Sequence, residues 1–267
     1  MPGGLRAFGA AGWTRPNWRG TALPFPAGVL AVAATLVALG PLAALDALGV
    51  WDVLGPAGVA GIDPVGAALL LGFGVAFLGL LDDLLAAEPR GWRGHGAAVL
   101  RGGFSTGALK AAGTVALALA ALGGAGLTAG EYLLAVLVVV LATNLFNLLD
   151  LRPGRSVKAF ALLAAGLLAG TATLEPLRGI GLFAGPLLVV GAYDLRERAM
   201  LGDTGSNLLG AMAGLWLVLA LDTAGQAVAA ALMAALTIFG EFRSLTAAID
   251  RVPPLRALDS LGRRSDA

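Results

Sequence analysis

"GFGVAFLGLLDDLLAAEPR", residues 72–90, decides between a water-soluble core and a membrane. An uncharged run from Gly66 to Leu81 ends abruptly at two adjacent carboxylates, Asp82 and Asp83. A helix needs about 20 predominantly apolar residues to span a bilayer. Working outward, stretches of this kind lie at roughly 23–45, 63–82, 105–127, 131–149, 157–174, 177–194, 204–221 and 224–242. Each is bounded by Pro, Gly or charge, and none alternates with the period of a barrel strand. Backbone polar groups must be satisfied inside lipid, so the runs are expected as helices.

Composition agrees. Of the 267 residues 58% are hydrophobic and only 13% charged, against about 25% charged in soluble domains. The 40 glycines suit helices whose backbones approach closely in a membrane. The absence of Cys excludes disulfides and thiolate metal sites. The first 20 residues carry Arg6, Arg15 and Arg19 without a continuous apolar core, so no cleaved secretory signal is expected.

Charge orients the spans. With the N-terminus in the cytoplasm, 17 of the 18 Lys and Arg fall on the cytoplasmic side, and Arg178 alone lies opposite. The expectation is an all-α, polytopic membrane protein of about eight transmembrane helices with both termini cytoplasmic. Residues 1–22 form its N-terminal segment, 23–243 the helical domain and 244–267 a cytoplasmic tail. Asp46, Asp52, Asp63, Glu131 and Asp222, on the opposite side, read as solvated loop acids. Trp13, Trp18, Trp51 and Trp92 fall near boundaries, as an interfacial belt would place them. Trp216 reads as packing, and the sole histidine, His95, as a surface-loop residue.

The unusual acids gather on the cytoplasmic side. Asp82 and Asp83 close the second span, Asp150 closes the fourth in "ATNLFNLLDLRPGRSVK" (142–158), and Asp203 opens the seventh in "AMLGDTGSNLLGA" (199–211). Taken alone, Asp203 reads as a helix cap, and Asp150 equally as an interfacial partner of Arg152 or Arg155. The Asp82–Asp83 pair resists such a reading, because a helix C-terminus disfavours anions and neighbouring carboxylates repel. A divalent metal or a lysine such as Lys110 would remove both objections. Asn144, Asn147 and Asp150 recur every third residue and share one helical face. Oxygen ligands without Cys or clustered His suit Mg²⁺ held by carboxylates and substrate phosphates. Basic loops beside them suit phosphate-bearing substrates, including a lipid head group. Metal-assisted phosphoryl transfer at the inner leaflet is the reaction class these residues indicate.

Five ordered stretches carry a resemblance: "RPNWRGTALPFPAG" (15–28), "GLLDDLL" (79–85), "TGALKAAG" (106–113), "TNLFNLLD" (143–150) and "LGDTGSNLLGA" (201–211). Together they resemble the polyprenyl-phosphate N-acetylhexosamine-1-phosphate transferases of bacterial envelope synthesis, which include phospho-N-acetylmuramoyl-pentapeptide transferase and its GlcNAc-1-phosphate counterparts. The resemblance implies a multi-pass inner-membrane enzyme with its active site facing the cytoplasm. A polyprenyl phosphate would attack the β-phosphate of a UDP-sugar and release UMP. Asp203 would be the main Mg²⁺ ligand, with Asp83 beside it at the metal or phosphate, and Asp82 would deprotonate or position the lipid phosphate. Lys110 would hold a phosphate. Asn144, Asn147 and Asp150 would line the nucleotide side, and Asn17 and Arg19 would contact substrate. The implied partners are lipid carrier, nucleotide sugar and membrane, with no nucleic acid and a homodimer as one assembly.

The chain also departs from that family. Leu151 and Pro153 stand where a Gly and a second Asp are usual, and Arg152 and Arg155 are added. The tail "DRVPPLRALDSLGRR" (250–264) has no histidine where the family clusters several. Members usually have about ten spans, and only 14 residues precede Arg15. A non-catalytic relative that binds polyprenyl phosphate or scaffolds envelope proteins is the alternative expectation. A transporter, which would carry charges near the midplane, fits least.

Overall fold

The structure, a computed structural model, describes residues 1–50, 61–85 and 105–263. The expectations for Asp52, Trp51, Trp92 and His95 fall outside the described residues. Every apolar run is a helix. In chain order these are α2 (Gly28–Ala47), α3 (Pro64–Leu85), α4 (Thr106–Leu122), α5 (Ala129–Leu149), α6 (Arg155–Thr171), α7 (Leu177–Leu195), α8 (Gly202–Ala220) and α9 (Thr223–Phe242). A short α1 (Pro2–Ala10) precedes them, and α10 (Leu245–Arg251) and α11 (Pro253–Ser260) follow.

Five of these helices, α2, α3, α5, α7 and α9, are long and apolar enough to cross a membrane. The chain is therefore a helical membrane protein. The other three runs fall short for identifiable reasons. α4 and α6 have 17 residues each, the lower edge of spanning length. α8 has 19 but begins with the polar stretch Asp203–Asn207.

α8 is the axis of the bundle. All its residues are buried except Asp203 and Ala220, and it packs chiefly on α5 and α3. Small residues permit this depth. A Cβ on Gly210 or Gly214, one helical turn apart, would press into the backbone of Thr143 or Val139 on α5. Gly28 of α2 meets the backbone of Gly205, and Gly79 of α3 meets that of Asp203 and Thr204. Trp216 packs on Phe160 and is 2% exposed. The peripheral helices show the opposite pattern. Val228, Leu232, Leu236 and Phe239 form an exposed apolar stripe along α9, the surface a lipid-facing helix presents.

Away from the acid-rich end, three acids read as solvated prove to be helix caps. Asp63 accepts the amide of Val65 and Asp222 that of Gly225, while Thr128 and Glu131 form a reciprocal capping box on α5. The N-terminal segment also departs from all-α. Strands β1 (Thr14–Pro16) and β2 (Ala22–Pro24) pair antiparallel, Arg15 opposite Leu23. The Asn17 carboxamide oxygen accepts the amides of Arg19 and Thr21 and so builds the turn between them. Met200 then donates its amide to Pro24 and accepts that of Ala27, which fastens the hairpin to the segment between α7 and α8.

Candidate functional site

Three ionisable side chains, far apart in sequence, meet at one end of the bundle. Lys110, in the second turn of α4, places its Nζ 2.7 Å from Asp82 Oδ2 and 2.6 Å from Asp203 Oδ2. Asp82 lies in the last turn of α3 and Asp203 in the first turn of α8. The side chains are 19%, 14% and 32% exposed, respectively, so the cluster is largely withdrawn from solvent yet reachable. Opposite charges in such a setting attract far more strongly than at an open surface.

Asp83 does something else. It is 5% exposed. Its Oδ1 accepts the amide of Asp203 at 2.9 Å, and its Oδ2 accepts the amide and hydroxyl of Thr204 at 2.8 and 2.6 Å. Gly202 enters α8 at φ +75°, and the residue flanking α8, Leu201, has no capping side chain. Asp83 thus caps α8 from a neighbouring helix, and the positive end of the α8 dipole answers the objection to two adjacent acids. The cap reading of Asp203 is overturned: the capping acid is Asp83, and Asp203 faces Lys110.

The asparagine stripe divides. Asn147 donates to Asn207 Oδ1 at 2.9 Å and also interacts with the Asp203 carboxylate, whereas Asn144 is exposed. Asp150 ends α5 and accepts the Ser156 hydroxyl at 2.8 Å. Burial, reinforced by the negative charge of Asp194, pushes the Asp150 carboxyl well above the usual carboxylate range. Asp150 pairs with neither Arg152, whose guanidinium stacks on Trp18, nor Arg155, which is held by Asp259.

Asn17 and Arg19 are committed to Glu197. Asn17 Nδ2 lies 3.2 Å and Arg19 Nε 3.0 Å from its Oε2, and the Arg19 guanidinium also stacks on Trp18. Both expected substrate contacts therefore fasten the hairpin to the loop before α8. Arg15 fastens the same hairpin to the end of α3 by donating to the carbonyl of Asp83 at 2.9 Å.

Sequence reasoning missed Asp194, Glu197 and Asn207. Asp194 accepts the amides of Gly154 at 2.6 Å and Leu201 at 3.0 Å, bridging the turns before α6 and α8. Its signal was available, since Asp194 closes an apolar run as Asp82 does. Nothing in the local sequence marks Glu197, a lone acid between two arginines.

No group of three His, Cys, Asp or Glu side chains suited to a metal ion occurs among the described residues. Two carboxylates do converge: the Lys110 distances of 2.7 and 2.6 Å place Asp82 Oδ2 and Asp203 Oδ2 no more than 5.3 Å apart. Mg²⁺ takes one or two protein carboxylates and fills its shell with water and phosphate, and these two carboxylates, gathered on one ammonium, are ligands of that kind. Asp83, with both oxygens bonded to α8, fits that role less well. Compared with known proteins, the chain matches no family model, no curated protein and no solved structure.

Proposed function

We propose that this protein transfers a sugar-1-phosphate from a UDP-sugar to a polyprenyl phosphate, with Mg²⁺, at the cytoplasmic face of a bacterial inner membrane. In this reading all eight apolar helices span, and both termini are cytoplasmic, as the distribution of Lys and Arg favours. The observation that carries the proposal is the meeting of Asp82, Lys110 and Asp203 at one end of a lipid-exposed bundle. The ordered motifs that resemble the transferase family contribute those same three residues.

The reaction joins two phosphates. An oxygen of the lipid phosphate attacks the β-phosphorus of the UDP-sugar, the bond to the bridging oxygen of the α-phosphate breaks, and UMP leaves. Asp82 and Asp203 would hold Mg²⁺, which supplies charge neutralisation for the pyrophosphate. Asp82 receives or positions the proton of the acceptor phosphate. Lys110, which here bridges the two carboxylates, would direct its ammonium to a phosphate oxygen. Asn147, held by Asn207, presents its amide on the nucleotide side next to Asp150. Asp83 takes no part in bond making and fixes Asp203 through the first turn of α8.

The test is UMP release by the purified protein with undecaprenyl phosphate, Mg²⁺ and a panel of UDP-sugars. Release that is lost in Asp203→Asn supports the transferase. Retained binding of the lipid phosphate with no turnover of any donor would instead identify a non-catalytic binder.

A further inference from the structure

The tail after α9 carries Arg251, Arg256 and Arg263, and basic residues in such a place suit an inner-leaflet anchor or, for Arg251, Arg256 and their neighbours, a phosphate contact. In the structure it is docked on the bundle, and one carboxylate lies at the centre of the contacts. Asp259, in α11, is 8% exposed. Its two oxygens accept Arg155 Nε at 2.9 Å and Nη2 at 3.0 Å, and Arg263 Nη2 lies 2.7 Å from Oδ1. Arg155, itself 5% exposed, opens α6 and reaches the Thr246 hydroxyl of α10 with its remaining arm. Arg263 Nε donates to the carbonyl of Pro153 at 3.0 Å. Lys158, one turn into α6, donates to the carbonyls of Leu258, Asp259 and Leu261 at the end of α11, where a cation meets the negative dipole end.

Apart from the Arg263–Asp259 pair, which lies within the tail, these contacts land on residues 153–158, and that turn leads into the candidate site. Ser156 holds Asp150. The Gly154 amide holds one oxygen of Asp194, whose other oxygen holds the Leu201 amide at the entry to α8. Two residues further on stands Asp203. Hydrogen bonds joined through the backbone of residues 153–156 therefore link the tail to both Asp150 and the start of α8.

We infer that the C-terminal segment is a strap that positions the site, and that Asp259 is its positioning residue, acting through Arg155 and the 153–158 turn on Asp150 and Asp203. This rests on the transferase reading for its catalytic consequence but not for its structural one. The geometry suits the role because a bidentate arginine–carboxylate pair fixes orientation as well as distance. Loss of one partner leaves the other charged and buried.

The experiment is amide hydrogen exchange on the full chain in lipid nanodiscs, paired with UMP release. Asp259→Asn keeps the shape and removes the charge. Exchange at Gly154 and Leu201, whose amides both end on Asp194, is expected to quicken about tenfold or more. Gly225 and Gln226, whose amides are bonded to Asp222 at the far end of the bundle, should not change. Asp259→Glu, which retains the charge, should restore most of the protection. In the same variants kcat for UMP release should fall with Asn and recover with Glu, while KM for the lipid phosphate holds. Loosening confined to residues 253–263, or exchange rising equally at Gly225 and Gln226, would overturn the inference. A wild-type protein that releases no UMP would defeat the transferase reading and leave the exchange result to decide the strap.

Discussion

Adjacent residues in this protein have different fates because a helix turns about 100° per residue. Asp82 faces α4 and takes a lysine, whereas Asp83 faces α8 and takes its free amides. Truncating them should therefore fail differently. Asp83→Ala strands two buried N–H groups and should cost on the order of 2–4 kcal/mol in detergent unfolding. Lys110→Gln leaves Asp82 and Asp203 facing each other without a cation. It should destabilise more than the double variant Lys110→Gln/Asp82→Asn, with a coupling of about 1–3 kcal/mol in a double-mutant cycle. A simple sum of the single effects would show that the pair does not interact as the geometry demands. Asp150 differs in sign from an ordinary paired acid. Its carboxyl is raised by burial and by Asp194, so its contribution to stability is present below the unfolded value and lost as pH rises through the raised one. Asp150→Asn should then raise the unfolding temperature at neutral pH in the absence of ligand, and a fall would contradict the shift. If the transferase reading holds, the same change should also slow turnover, the trade expected where function keeps a charge buried.

At the scale of elements, close backbone approach sets which helices meet. Gly79 and Gly28 let α3 and α2 reach the first turn of α8, where a Cβ at either position would collide with backbone. Gly79→Ala should cost about 1–3 kcal/mol and, by pushing α8 away, disturb the Asp83 cap. Gly181→Ala in α7 is the control, because its added methyl meets nothing within 4 Å, and it should be neutral or slightly stabilising. Equal losses at both positions, read by thermal unfolding, would show that helix propensity rather than packing governs these glycines. The existence of each helix was legible from its apolar run. The choice of α8 as the buried axis was not, since its opening residues are the most polar of the set. Its depth comes from Gly205, Gly210 and Gly214 meeting partner backbones, a property of pairs of helices rather than of one.

Across the whole molecule, both chain ends close on the same place. The hairpin fastens residues 197–201 from one side through Asn17, Arg19 and Met200. The tail fastens residues 153–158 from the other, and Asp194 joins the two segments. Asp259 carries the pH dependence of this closure. Arg155 and Arg263 hold its carboxyl down at about 2, although burial works against them. A depressed carboxyl stabilises fully above its unfolded value, near 4, and loses that contribution as pH falls toward 2. Tail protection, followed by hydrogen exchange, should therefore be constant above pH 5 and decline between about 4 and 2. In Asp259→Asn that acid-dependent step should be absent.

By itself the sequence determined the solvent, the helical class, the positions of the runs and the fact that acids, amides and a lysine collect at their ends. These follow from transfer free energy and helix period, which act along a single chain segment. Tertiary structure alone decided that Lys110 joins Asp82 to Asp203, that Asp83 caps α8, that Asn17 and Arg19 serve Glu197, and that the tail docks instead of trailing on lipid. Each of those outcomes depends on which groups lie within about 3 Å of one another across helices. A charge pattern read along one strand of sequence carries no such distance.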